Sequence, residues 1–174
     1  MGVVIDVNTL PLVFNKRSSQ HQEFRPVLDW MVKDKAKIIV GGSLYFSELQ
    51  KMEAYLTHIK ELSKVNKVHA EKNETVDVKE KEIRDKTSSK KLNDLHLVAL
   101  IAVTNCKVFC SNDKRCFSSV RNREVSKFFK FRPKIYTNAE HAPRKEILCD
   151  SNLTPKCNPH SKLSKDQIKA LSFY

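Results

Sequence analysis

The chain has 174 residues, 40% hydrophobic and 30% charged, the profile of one globular domain with a real core. Its 32 Lys and Arg against 20 Asp and Glu leave a net charge of +12. That exceeds the magnitude of ~2–8 that solubility alone asks of a small domain, and it points to nucleic acid, an acidic partner or an anionic surface.

Several classes are excluded at once. No apolar run nears the ~20 residues of a membrane span, so no membrane role is expected. No basic residues precede the amino-terminal apolar run, which argues against a signal peptide. Asp6 stands where a myristoylation signal wants Ser or Thr. The three glycines form neither GxxxxGK[ST] nor GxGxxG. Five cysteines, an odd number, suit reduced thiols in a cytoplasmic protein.

The first element is Gly2-Val3-Val4-Ile5, a β-branched run suited to a strand covered on both faces. It ends in Asp6, and the carboxyl ends of strands are where open α/β sheets keep their ligands. Residues 11–21 read as loop and turn. A helix is predicted over 22–34, with Phe24, Val27, Leu28 and Met31 at helical spacing and Trp30 beside them. Lys37–Val40 is a second buried strand. Gly41-Gly42-Ser43 breaks it and offers a helix cap.

From Leu44 to about Leu62 the stripe Leu49, Met52, Leu56 and Ile59 predicts one helix, with Glu48 in its first turns. Residues 64–91 turn rich in Lys and Glu. A short strand is expected around 67–70, a turn at Asn73, a helix from near Asp77 and a mobile loop over 87–91. Hydrophobicity then returns. Leu92 to Val103 reads as a helix buried on most of its surface, with Asp94 at its head. Lys107–Cys110 is a further strand and leads into Ser111-Asn112-Asp113. A helix over 115–130, a last strand over 134–137, and a basic polar extension over 141–174 with a weak helix at 165–173 complete the chain. Short apolar strands alternating with helices predict parallel βαβ units in a layered α/β fold.

In such a sheet the strand carboxyl ends share one edge, and the helices that follow them start there. Asp6 and Asp113 therefore share an edge that Glu48 and Asp94 can approach. Two carboxylates ~4 Å apart repel by roughly 4 kcal/mol at an effective dielectric of 20. Divalent cations resolve that conflict, and all-oxygen sites suit Mg²⁺ or Mn²⁺. Paired ions of this kind activate water and stabilise the leaving oxygen in phosphodiester cleavage. Each acid has a plainer reading as a helix cap or a solvated turn.

The order Val-Ile-Asp-Val-Asn, Gly-Gly-Ser-Leu-Tyr-Phe-Ser-Glu-Leu, Asn-Asp-Leu-His-Leu-Val-Ala-Leu-Ile-Ala and Val-Phe-Cys-Ser-Asn-Asp-Lys resembles the PIN-domain nucleases, over about residues 2–137. The resemblance implies a three-layer α/β/α fold with a central, mainly parallel sheet of about five strands. It also implies Mg²⁺- or Mn²⁺-dependent endoribonuclease activity. The family's four acids map to Asp6, Glu48, Asp94 and Asp113, with Asp6, Asp94 and Asp113 as metal ligands. Its supporting polar residues map to Asn8 or Thr9 and to Ser111 and Asn112. Many members are toxins of bacterial toxin–antitoxin pairs, which makes RNA, a small antitoxin-like protein and a second copy of the chain candidate partners. Residues 64–91 and the tail past about 140 match no motif.

Lys114, Arg115, Arg121 and Arg123, with Lys90 and Lys91, are candidate RNA-backbone contacts; solvated helix charges are the alternative. Cys149, Cys157, His141 and His160 offer zinc ligands, but the Cys-x₇-Cys spacing is not that of a zinc finger, and a mobile basic tail is favoured. His96 reads as a satisfied helix histidine in preference to a general base. Trp30 and the Phe128, Phe129 and Phe131 cluster read as core in preference to base-stacking platforms. A non-catalytic RNA-binding module and a DNA-directed nuclease stand as alternatives to the ribonuclease.

Overall fold

The computed structural model describes residues 2–88, 92–138, 145–149, 152 and 162–174. Its centre is a five-stranded, wholly parallel sheet in the order β3-β2-β1-β4-β5, built from β1 (Gly2–Ile5), β2 (Lys37–Val40), β3 (Val68–Ala70), β4 (Val108–Cys110) and β5 (Lys134–Tyr136). Val3, Val4 and Ile5 are wholly buried, as a central strand covered on both faces requires. The α/β fold expected from the alternation is present.

Helices flank the sheet: α1 (Leu10–Phe14), α2 (His21–Lys33), α3 (Ser43–Gln50), α4 (Glu53–Lys64), α5 (Asn73–Lys86), α6 (Leu95–Thr104), α7 (Lys114–Arg121) and α8 (Lys165–Lys169). α1 packs on α2 and α4, while α6 packs on α5 and α7. These two helix sets with the sheet are consistent with a three-layer α/β/α arrangement. Every α6 residue except Val103 is buried, as its near-continuous apolar run demands. Among the described residues no helix is long and apolar enough to cross a membrane.

Helix boundaries differ from expectation at several points: α1 stands where loop and turn were expected over 11–21, α6 starts at Leu95, and α8 ends at Lys169. The helix expected over 44–62 is broken at Lys51-Met52 into α3 and α4, although no Gly or Pro marks the break and the apolar stripe runs straight through it. α5 begins at Asn73, a turn before the expected Asp77, because both residues serve α3. Asn73 Oδ1 accepts from the Gly42 N–H at 3.1 Å, and Asp77 Oδ1 accepts from the Ser43 N–H at 2.9 Å. Ser43 therefore does not cap its own helix; a carboxylate from α5 does. The helix expected over 115–130 ends at Arg121. There Asn122 Oδ1 takes the N–H groups of Glu124 and Val125 and turns the chain into a 3₁₀ segment over Val125–Phe128.

The last residues do not form a free tail. Leu163, Leu171 and Phe173 are buried, and the Phe173 ring meets Phe14 edge-on at 5.1 Å. At 87–91, where a mobile loop was expected, Ser88 is held by Glu124 through its N–H and hydroxyl at 2.9 and 2.7 Å. Ser89, Lys90 and Lys91 lie outside the described residues, as do His141, Cys157 and His160.

Candidate metal centre

In the order β3-β2-β1-β4-β5 the chain leaves β1 toward β2 on one side, and β4 lies on the other. The carboxyl ends of β1 and β4 thus meet where the winding reverses, the usual ligand position in open parallel sheets. Ile5 pairs with Cys110, so Asp6 and Ser111 leave the sheet side by side.

Asp6 is 3% exposed. Its Oδ1 accepts from the Asn8 N–H at 3.0 Å, which makes Asp6 the cap of the 3₁₀ turn Val7–Thr9. Its Oδ2 accepts from the Ser111 hydroxyl at 2.8 Å, and that hydroxyl in turn accepts from the Asp113 N–H at 3.0 Å. One serine thus ties the first and fourth acids together. Burial pushes the Asp6 carboxyl above its ordinary range. The two hydrogen bonds oppose this, and the nearby charges of Asp94 and Asp113 add to it.

Asp94 precedes α6 in the left-handed region, at φ 53° and ψ 42°. Asp tolerates that conformation better than most residues. Its side chain makes no capping bond to the helix, so the cap reading fails for this acid. The Asn93 N–H donates to Ser119 Oγ at 3.0 Å and ties the head of α6 to α7.

Asp113 does cap α7, accepting from the Arg115 N–H at 2.8 Å. Both of its oxygens also take the Arg115 guanidinium: Nε at 3.1 and 3.0 Å and Nη2 at 2.7 Å. That fork holds the carboxyl below its ordinary range.

Glu48, half-buried on α3, faces His96 from the first turn of α6, with His96 Nε2 at 3.5 Å from Glu48 Oε2. Burial raises the Glu48 carboxyl; the His96 charge opposes this, and Asp94 and Asp6 reinforce it. His96 is buried, and among the described residues its Nε2 makes no hydrogen bond. The expectation of a satisfied helix histidine is corrected accordingly. The hydroxyl of Tyr45, also on α3, donates to the Ile5 carbonyl at 3.0 Å and fixes α3 against the end of β1.

The supporting polar residues divide. Thr9 is buried, and its Oγ1 accepts from the Asn112 N–H at 3.1 Å. Asn112 Nδ2 donates to Gln20 Oε1 at 3.0 Å. Asn8 contributes only its backbone N–H here, and its side chain is exposed.

Sequence reasoning missed Cys116. Its Sγ donates to Asp94 Oδ2 at 2.8 Å and lies 3.9 Å from Asp6 Oδ2. Ligand atoms of Asp94, Asp113 and Cys116 all fall within 4.8 Å of one another. The signal was present, since Cys116 follows Asp113 by three residues at the start of a helix and so shares its face. Burial and the Asp94 carboxylate push the thiol far above its ordinary range. Cys106 and Cys110 are buried thiols at β4, as expected.

Beside the acids runs a basic surface. Lys114 and Arg121 line a cavity of about 450 Å³ with Phe117 and Ser118. Arg121 and Arg123 line another of about 340 Å³ with Arg132. Trp30 is buried, as expected of core. Phe131 is 41% exposed, with Lys107 Nζ 4.8 Å from its ring centre. It precedes β5 and so sits toward the edge opposite the acids. Comparison with protein-family models, characterised proteins and solved structures finds no match.

Proposed function

We propose that this chain is a divalent-metal-dependent endoribonuclease of the PIN type. One observation carries the reading: carboxylates from separate elements converge at the junction of β1 and β4 beside a basic helix, and the most buried of them, Asp6, is held by neutral donors and faces the like charges of Asp94 and Asp113. A buried cluster of like charges is costly by itself. Its oxygen donors fit a hard cation such as Mg²⁺ or Mn²⁺.

Asp6, Asp94 and Asp113 would hold the ion, with Glu48 completing the acid set. The chemistry such an ion supplies is activation of water and neutralisation of charge on the scissile phosphate. The chain's own groups do the rest. Ser111 and the Asn8 N–H orient Asp6, and Tyr45 and His96 set α3 and Glu48 against it. Lys114, Arg121 and Arg123 hold flanking phosphates of the RNA, an interaction that weakens with salt. In the biological version the chain is the toxin of a toxin–antitoxin pair, acting in the cytoplasm and restrained by a small protein partner.

A second reading, a non-catalytic RNA-binding module, draws on the capping roles of Asp6 and Asp113. Labelled single-stranded and tRNA-like RNA, incubated with Mn²⁺ or with EDTA, separates the two. Cleavage is expected in Mn²⁺ alone. Asp6→Asn and Asp94→Asn should slow it by at least about 10³-fold, since members of one catalytic set fail together. Intact RNA with the wild type, or equal cutting by the variants, overturns the nuclease reading.

A further inference from the structure

We infer that Cys116 is itself a ligand at this centre, and that with Asp94 and Asp113 it forms a mixed carboxylate–thiolate site for a thiophilic divalent cation of the zinc and cadmium class. The inference rests on the metal-centre reading of the acids and extends it from hard ions to soft ones.

The geometry is specific. The three side chains come from the head of α6, the turn after β4 and the first turn of α7, and their ligand atoms lie within 4.8 Å of one another. The sulfur is placed among the acids and not merely near them, at 2.8 Å from one carboxylate and 3.9 Å from a second. A tetrahedral Zn²⁺ site with S at ~2.3 Å and O at ~2.0–2.2 Å spaces its donors by roughly 3.3–3.6 Å. Small side-chain movements reach that spacing from the one observed.

A second feature points to a ligand independently. The His96 side chain is 3% exposed, its Nε2 makes no hydrogen bond among the described residues, and it is turned toward Glu48, a carboxylate that feels the charges of Asp94 and Asp6. A buried ring nitrogen that makes no hydrogen bond and stands 3.5 Å from a carboxylate suits a cation or the water that cation carries.

The donor set decides the class of ion. Mg²⁺ demands near-ideal octahedral oxygen coordination and gains nothing from sulfur. Thiolate selects zinc and similar ions. On binding, the Cys116 S–H bond breaks, a sulfur–metal bond forms and the proton leaves to solvent. Asp94 exchanges a hydrogen bond from sulfur for a bond to the cation.

The test titrates the metal-free full chain with Cd²⁺ and follows thiolate-to-cadmium charge-transfer absorption, in wild type, Cys116→Ser, Cys116→Ala and Cys149→Ser/Cys157→Ser. The band is expected in wild type and in the double variant, and absent from both Cys116 variants. Zn²⁺ affinity should fall in Cys116→Ser by at least the roughly 10–100-fold that even outer-sphere changes cost. Mn²⁺ affinity should move less than about threefold, because serine keeps a donor to Asp94 and a hard oxygen.

Should the Cys116 variants not fold, zinc-edge X-ray absorption of the Zn²⁺-loaded double variant decides, with one sulfur at ~2.3 Å expected. A band that persists in Cys116→Ser, or a first shell without sulfur, overturns the inference. Mn²⁺-supported RNA cleavage is measured in parallel. Cleavage without sulfur ligation would sink this inference alone, and sulfur ligation without cleavage would sink the nuclease reading alone.

Discussion

Asp29 and Asp6 show what the fold does with an acid it pairs with cations and with one it does not. Asp29, on α2, takes Arg25 Nε at 2.9 Å, Lys33 Nζ at 3.5 Å and the Tyr174 hydroxyl at 2.7 Å. Arg25 also lies 4.5 Å from the centre of the Tyr174 ring. Burial alone would raise the Asp29 carboxyl. The hydrogen bonds from Tyr174 and Arg25, with the Arg25 and Lys33 charges, overcome it and hold the group below its ordinary range. Asp6 is more deeply buried and receives only neutral donors. The charges around it are negative, and its carboxyl goes up. In a chain carrying +12, cations were available to compensate it. The Arg115 charge reaches Asp113 and Asp94 and the Lys51 charge reaches Glu48, while the charges acting on Asp6 are the negative ones of Asp94 and Asp113, which marks that carboxyl as kept for something else.

The largest test of this contrast adds the ion. At 100 times its dissociation constant, Mn²⁺ should stabilise the wild type by about 2.7 kcal/mol, roughly 5–10 °C in Tm for a chain of this size. Asp29→Asn should keep that gain and Asp6→Asn should lose it, as read by scanning fluorimetry. An equal gain in Asp6→Asn would remove Asp6 from the ion's site.

Without metal, the same two substitutions should act with opposite sign. Asp6→Asn should raise Tm in EDTA by about 2–4 °C, for on the order of 1 kcal/mol of relieved charge burial and repulsion. Asp29→Asn should lower it by no more than that, since Asp29 is partly exposed and solvent screens its pairs. Acidity sharpens the comparison. A raised folded pKa means that stability is greatest below the unfolded value and is lost as pH rises through the folded one. The gain from Asp6→Asn should therefore vanish near pH 4 and grow toward neutrality. Asp29 has a lowered folded pKa, so what it contributes is present at neutrality and lost on acidification. A pH-independent gain from Asp6→Asn would show that its origin is not charge.

The sheet was legible because β1 and β2 are short runs of Val and Ile, and β4 a short buried apolar run, between helical segments, as buried parallel strands are written. Asp6 and Asp113 followed from that, since Asp6 directly follows β1 and Asp113 stands three residues past the end of β4. What stayed illegible came from tertiary pairing. The break at Lys51-Met52 has no local marker, and α5 starts early because Asn73 and Asp77 are taken up by α3. Cys116 escaped notice because a lone cysteine reads as a small apolar group. Only the approach of α6 to α7, pinned by Asn93 and Ser119, sets its sulfur against Asp94.

The smallest expected effect concerns Asp113, the acid of the cluster that an arginine fork covers. Arg115 covers both oxygens of Asp113 with its guanidinium, so it competes with any ion that uses them. Its side chain is 76% exposed, so it is released at little cost and becomes available to a phosphate. Arg115→Ala should therefore tighten Mn²⁺ binding by roughly two- to fivefold, the scale of an exposed ion pair. It should also weaken RNA binding and reduce the salt slope by about one. Arg115→Lys keeps the charge without the fork, so it should retain the salt slope while freeing Asp113 in part. Calorimetric titration with Mn²⁺ and salt-dependent RNA binding measure the two sides separately. An unchanged Mn²⁺ affinity in Arg115→Ala would mean that Asp113 serves α7 as its cap alone. The contrast with Asp29 would then rest on Asp6, the buried carboxylate held by neutral donors among like charges.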